Sequence, residues 1–219
     1  MGTFELRCSA ILFDMDGTLV DSTAVVESAW GWWAERHRLP LLEVLAFSHG
    51  RPTIATMEHF RPGADIGAEA AEMERYEENR IDGIVAVAGA VAAVHEAQKG
   101  PWGVVTSAPR LLAERRLFAA GFPVPSVLVP ADEIERGKPD PEGYWKAARL
   151  LKVAPSECIV FEDTRPGIEA ARAAGMTAIG LLTTFPAEAL GCVWTIRNFL
   201  DIRVERAGKG FRVFTASLQ

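Results

Sequence analysis

Lysine is missing from the first 98 residues, and the 219-residue chain as a whole is short of cations, with 23 Lys and Arg against 29 Asp and Glu and a net charge of −6. That balance argues against a broad nucleic-acid surface, which needs clustered basic side chains. It leaves room for a small anionic substrate, because a local metal and one or two cations outweigh a global charge. Cysteine is also scarce. Cys8, Cys158 and Cys192 are odd in number, widely spaced and without a CxxC pair, so neither a disulfide framework nor a zinc knuckle is expected. Cys8 and Cys158 adjoin apolar runs and read as core residues. No apolar run approaches the ~18 residues of a membrane span, and no basic start precedes an apolar h-region. The expectation is a cytoplasmic protein with no membrane and no nucleic-acid partner. Repeats and low-complexity segments are absent.

What is present is a series of short apolar runs, most of them followed by helix-like segments. "SAILF" (9–13), "GVVTS" (103–107), "SVLV" (126–129) and "CIVF" (158–161) are followed by "TAIGLL" (177–182), which closes the series. Continuous apolar strands alternating with helices imply an α/β fold, a doubly wound parallel sheet covered on both faces. Residues 22–82 break the rhythm. "STAVVESAWGWWAERHRL" and "IGAEAAEMERYEENRI" are helical in character, so we expect an inserted all-helical domain over 21–83 and a catalytic core over 1–20 and 84–219. Trp30, Trp32 and Trp33 read as helix packing rather than a ligand platform. The tail, around Gly208–Gly210, reads as a hairpin.

In an open α/β sheet, ligands collect at the carboxyl ends of the strands. There the first strand places Asp14 and Asp16, the next Thr106 and Ser107, and the fourth Glu162 and Asp163. Lys138 lies in "ERGKPDPEGY", between the third strand and its helix. Two crowded carboxylates are costly without a cation between them. Hard oxygen ligands with room for water suit Mg²⁺. A metal, an ammonium and hydroxyls around a nucleophilic carboxylate form a device for phosphoryl transfer. Asp163 also stands where a carboxylate would N-cap the following helix.

These stretches resemble the haloacid dehalogenase superfamily. "DMDGT" matches its DxDG(T/V) motif, "VTS" its hydroxyl motif, "GKPDP" its lysine motif and "FEDTRPG" its acidic motif, in the right order across nearly the whole core. The resemblance implies that Asp14 attacks phosphorus and becomes an aspartyl phosphate. It implies that Asp16 protonates the leaving alcohol and then activates water. Mg²⁺ would be held by Asp14, the Asp16 carbonyl and Asp163, with Glu162 a further ligand or water holder. Thr106 and Lys138 would bind the phosphoryl oxygens, with Ser107 beside them, and Gly17 would permit a tight turn that aims backbone amides at the phosphate.

The same resemblance narrows the reaction. Asp16 disfavours a dehalogenase, and the lysine-free insertion excludes the Schiff base of a phosphonatase. The β-phosphoglucomutase-like members carry a histidine where this chain has Val26, together with a lysine in the inserted domain. A phosphatase of sugar or polyol phosphates remains, with "FSHGRPTIATMEHF" the most similar segment. His49 and Arg51 would then contact the substrate, and Arg110 is a further candidate. The expected partner is a small phosphate ester, the expected state a monomer or homodimer. The alternatives are a sugar phosphomutase and a non-enzymatic phospho-switch of the receiver type.

Overall fold

The computed structural model describes residues 3–48 and 53–215. Its strands are β1 (Glu5–Cys8), β2 (Ala10–Phe13), β3 (Val20–Asp21), β4 (Val85–Ala86), β5 (Trp102–Val105), β6 (Leu128–Val129), β7 (Cys158–Glu162), β8 (Thr177–Leu181), β9 (Trp194–Ile196), β10 (Ile202–Ala207) and β11 (Gly210–Thr215). The chain divides into two compact units, Met1–Asp21 with Val85–Gln219, and Ser22–Ile84.

The first unit is built on a six-stranded sheet in the order β6-β5-β2-β7-β8-β9, all neighbours parallel. The strand order reverses at β2: the chain steps to β5 and β6 on one side, then returns to β7 on the other. The crevice between the ends of β5, β2 and β7 is the switch point where such sheets bind ligands. β2, β5 and β7 are buried at every residue, which explains their apolar sequence up to Glu162 at the end of β7.

The helices of this unit are numbered after the four of the second, as α5 (Ala90–Ala97), α6 (Arg110–Ala119), α7 (Glu142–Leu151), α8 (Arg165–Ala173) and α9 (Ala187–Leu190). Side chains alternate across the sheet. Ala10 and Leu12 pack beneath Tyr144, Ala147 and Ala148 of α7 and Ile168, Ala170 and Ala171 of α8. Phe13 points to the other face, stacked on Phe161 at 5.4 Å with Phe199 against both rings.

Three elements differ from the sequence expectation. The edge strand β9 extends the sheet beyond β8, and β1 precedes β2; both mix polar with apolar residues over three or four positions and so present no continuous apolar run. The expected hairpin forms from β10 and β11, and β11 pairs antiparallel with β1, tying the two ends of the unit together. Thr164, not Asp163, caps α8, its hydroxyl accepting from the Gly167 amide at 3.3 Å.

The second unit holds α1 (Thr23–His37), α2 (Leu41–Ser48), α3 (Thr53–Phe60) and α4 (Ile66–Glu78). Ala29, Trp30, Trp33 and Ala34 of α1 close on Val44, Met57, Ile66 and Met73. Trp30 meets Trp33 edge-on at 5.5 Å, and Trp32 stacks on Tyr76 at 4.9 Å. The tryptophans therefore pack helices. Trp33 donates its indole N–H to Glu69 at 2.8 Å, and Arg61 also bonds that carboxylate, so the indole N–H of this core is partnered as burial requires.

Candidate active site

Asp14 follows β2 directly, and its backbone amide continues the ladder to the Phe161 carbonyl at 2.9 Å. The chain then turns sharply, with the amides of Thr18, Leu19 and Val20 all converging on the Met15 carbonyl. Gly17 makes this turn possible with φ +78 and no side chain, because a Cβ there would strike the Asp163 carboxylate and Thr184. Its amide is spent on the Val20 carbonyl at 2.7 Å. The tight turn expected at Gly17 is formed, and the amides of Gly17, Thr18, Leu19 and Val20 bond within it.

Lys138 reaches this point from the β6–α7 connection. Its ammonium donates to Asp14 Oδ1 at 2.5 Å, to Glu162 Oε1 at 2.5 Å and to the Val105 carbonyl at 3.2 Å. Burial works against its charge, yet the Asp14 and Glu162 carboxylates outweigh that and hold the ammonium well above its ordinary range.

Glu162, the last residue of β7, is fully buried and accepts five hydrogen bonds. They come from Lys138, the Tyr144 hydroxyl at 2.9 Å, the amides of Asp163 and Thr164, and the Thr164 hydroxyl. Gly167 lets α8 approach so closely that a Cβ there would overlap this carboxylate.

Asp163 is also buried. Thr184 donates to its Oδ2, and Thr18 approaches Oδ1 at 3.5 Å. Asp14, Glu162 and Asp163 each bring one oxygen within 4.8 Å of the others. Burial, with the neighbouring carboxylates, pushes the Asp14 carboxyl well above its usual range despite Lys138. It pushes Asp163 up to about 7, helped by Glu162. Three carboxylates and one ammonium leave an excess of negative charge in a dry space, and hard oxygens at this spacing fit a divalent cation such as Mg²⁺.

Thr106 lies one residue past β5, buried, its hydroxyl accepting from the Ala108 amide at 3.1 Å. Ser107 beside it is exposed. Asp16 points its Oδ2 at Arg116 of α6, 2.8 Å away. Arg110 is engaged elsewhere, bonded to Glu133 at 2.5 Å, Glu114 at 3.1 Å and the Leu128 carbonyl at 3.3 Å. His49 and Arg51 lie outside the described residues.

Sequence reasoning did not find Tyr144, Thr184 or Arg116. Thr184 carried the same signal as Thr106, a hydroxyl just beyond a strand. Arg116 carried a different one, a cation on the apolar stripe of α6 formed by Leu112, Ala113 and Leu117.

Buried carboxylates and a lysine gathered at the switch point of a doubly wound sheet define an enzyme of phosphate-ester chemistry. The haloacid dehalogenase-like hydrolase model matches residues 8–175, and the chain belongs to that family. Among its relatives, hexitol phosphatase A of Escherichia coli is 45% identical over 181 residues, 80% of this chain and 84% of that protein. Validoxylamine A 7'-phosphate phosphatase of Streptomyces hygroscopicus subsp. limoneus is 42% identical over 187 residues, 82% and 88% of the two chains. A solved hydrolase of the family from Entamoeba histolytica superposes with a TM-score of 0.78 at 29% identity, covering 89% of this chain and 95% of that one. The protein is a phosphoric monoester hydrolase.

Proposed function

We propose that the chain is a Mg²⁺-dependent phosphatase of small sugar or polyol phosphates that works through an aspartyl phosphate. The observation that carries the reading is the Asp14–Lys138–Glu162–Asp163 constellation, in a chain 45% identical to a hexitol phosphatase.

Asp14 attacks phosphorus, and the bond to the alcohol oxygen breaks as Asp16 delivers a proton to it. A water then attacks the aspartyl phosphate while Asp16 takes its proton, and inorganic phosphate leaves with Asp14 restored. Lys138, fixed on two carboxylates, and the Thr106 hydroxyl hold the transferring oxygens. Asp14, Asp163 and the Asp16 carbonyl would hold Mg²⁺, which neutralises phosphoryl charge when bound. Glu162, its oxygens already occupied by donors, acts chiefly by fixing Lys138 and the start of α8. On this reading His49, Arg51 and Ser107 contribute to substrate contact.

Phosphate release from a panel of sugar, polyol and nucleoside monophosphates, with Mg²⁺ or chelator, tests the reading. Turnover should need the metal and fall at least 10³-fold in Asp14→Asn, because the covalent step is lost. Conversion of a sugar phosphate to its isomer without release of phosphate would instead identify a mutase.

A further inference from the structure

Resting on the phosphatase reading, we propose that Arg116 is a positioning residue that holds Asp16 for proton transfer to the departing alcohol. Arg116 sits in the last turn of α6 and is only 5% exposed. Its neighbours on that helix face, Leu112, Ala113 and Leu117, are core residues. A guanidinium in such a place is costly, and an apolar side chain of similar volume would serve stability as well or better. Its head group nevertheless leaves the helix to meet a carboxylate 100 positions earlier, Nη1 to Asp16 Oδ2 at 2.8 Å.

The two aspartates of "DMDGT" are thus held by different cations from different elements. Lys138, from the β6–α7 connection, binds Asp14, and Arg116, from α6, binds Asp16. Asp14 is 7% exposed and enclosed by its partners. The Asp16 side chain is 31% exposed. A partly solvated carboxylate on a tight turn samples several rotamers, whereas proton transfer in the transition state needs one geometry to within a fraction of an ångström. The rigid fork of a buried arginine supplies that restraint, and lysine reproduces it only in part.

The leaving group separates this role from a structural one. An alkoxide must be protonated as it departs, whereas p-nitrophenolate leaves without help. The ratio kcat/KM closes when the alcohol departs, so the later hydrolytic step does not enter it. For Arg116→Met, kcat/KM for the best alkyl phosphate of the panel should fall about 10²-fold, the scale of a lost acid, while that for p-nitrophenyl phosphate changes less than about fivefold. Asp16→Asn should show the same asymmetry, and Arg116→Lys should recover part of the loss. Should the methionine variant fail to fold by circular dichroism, Arg116→Lys and Arg116→Gln carry the same comparison. Equal losses for both esters, or no loss for either, overturn the inference while wild-type turnover stands. If the wild type releases phosphate from neither ester, the phosphatase reading falls and takes the inference with it.

Discussion

Asp163 shows how a single residue ties the site to solution conditions. Burial and Glu162 raise its carboxyl to about 7 from the usual 3.8. Without metal, the folded chain therefore binds more protons than the unfolded chain between those values. This contribution to stability is fully present below about 3.8 and is lost as pH rises through about 7. A divalent cation competes for the same oxygens. The rise in melting temperature on adding Mg²⁺ should therefore be larger at pH 8 than at pH 5.5, as scanning fluorimetry would read. An equal rise at both would contradict the assignment of Asp163 as a ligand. At the same scale, burial pushes the Cys8 thiol up to about 12 and Cys158 up to about 11, so neither is expected to act as a nucleophile at neutral pH.

At the scale of the element, β7 and α8 form a single device. The strand ends in Glu162, the cap is Thr164, and the helix begins against the carboxylate because Gly167 has no side chain. Alanine at 167 must displace Glu162, which also holds Lys138. We expect Gly167→Ala to cost about 2 kcal/mol or more, in the range for disrupting a buried network, and to lower turnover at least tenfold. Chemical denaturation and the ester assay read the two effects. By contrast, Gly175 has open space where its Cβ would stand, so crowding plays no part there. The composition of an element also sets its visibility. β2, β5 and β7 up to Phe161 are continuous apolar runs and stood out, whereas β9 and β1, which mix polar with apolar residues, did not.

Across the whole molecule, the two units differ in how they are held. The sheet of the first is central and two-sided, with β2 flanked by β5 and β7 and buried on both faces. The amides of β2 and β7 are therefore expected to open only with global unfolding. Native-state hydrogen exchange should find β2 and β7 slowest, with β9 at the edge exchanging markedly faster. Uniform protection across the sheet would contradict this picture. The helical unit rests on one aromatic cluster around Trp30 and Trp33 and on the Glu69 anchor.

Much of this was legible in the chain itself. Apolar strands in alternation with helices point to a doubly wound sheet, because strands buried on both faces carry apolar residues wherever no partner is on hand for a polar one. Such a sheet delivers strand-end residues to one edge, so Asp14, Lys138, Glu162 and Asp163 could be named together from their positions alone. Tertiary structure decided what depends on distance rather than order. It spent the Gly17 amide on Val20, bound Arg110 to Glu133, moved the cap of α8 to Thr164, and surrounded Glu162 with donors. It also brought Arg116 to Asp16 across 100 residues. A sequence pattern records which face of an element is buried. Which partner a buried charge finds there is set by side-chain reach and packing, and these exist only in the folded chain.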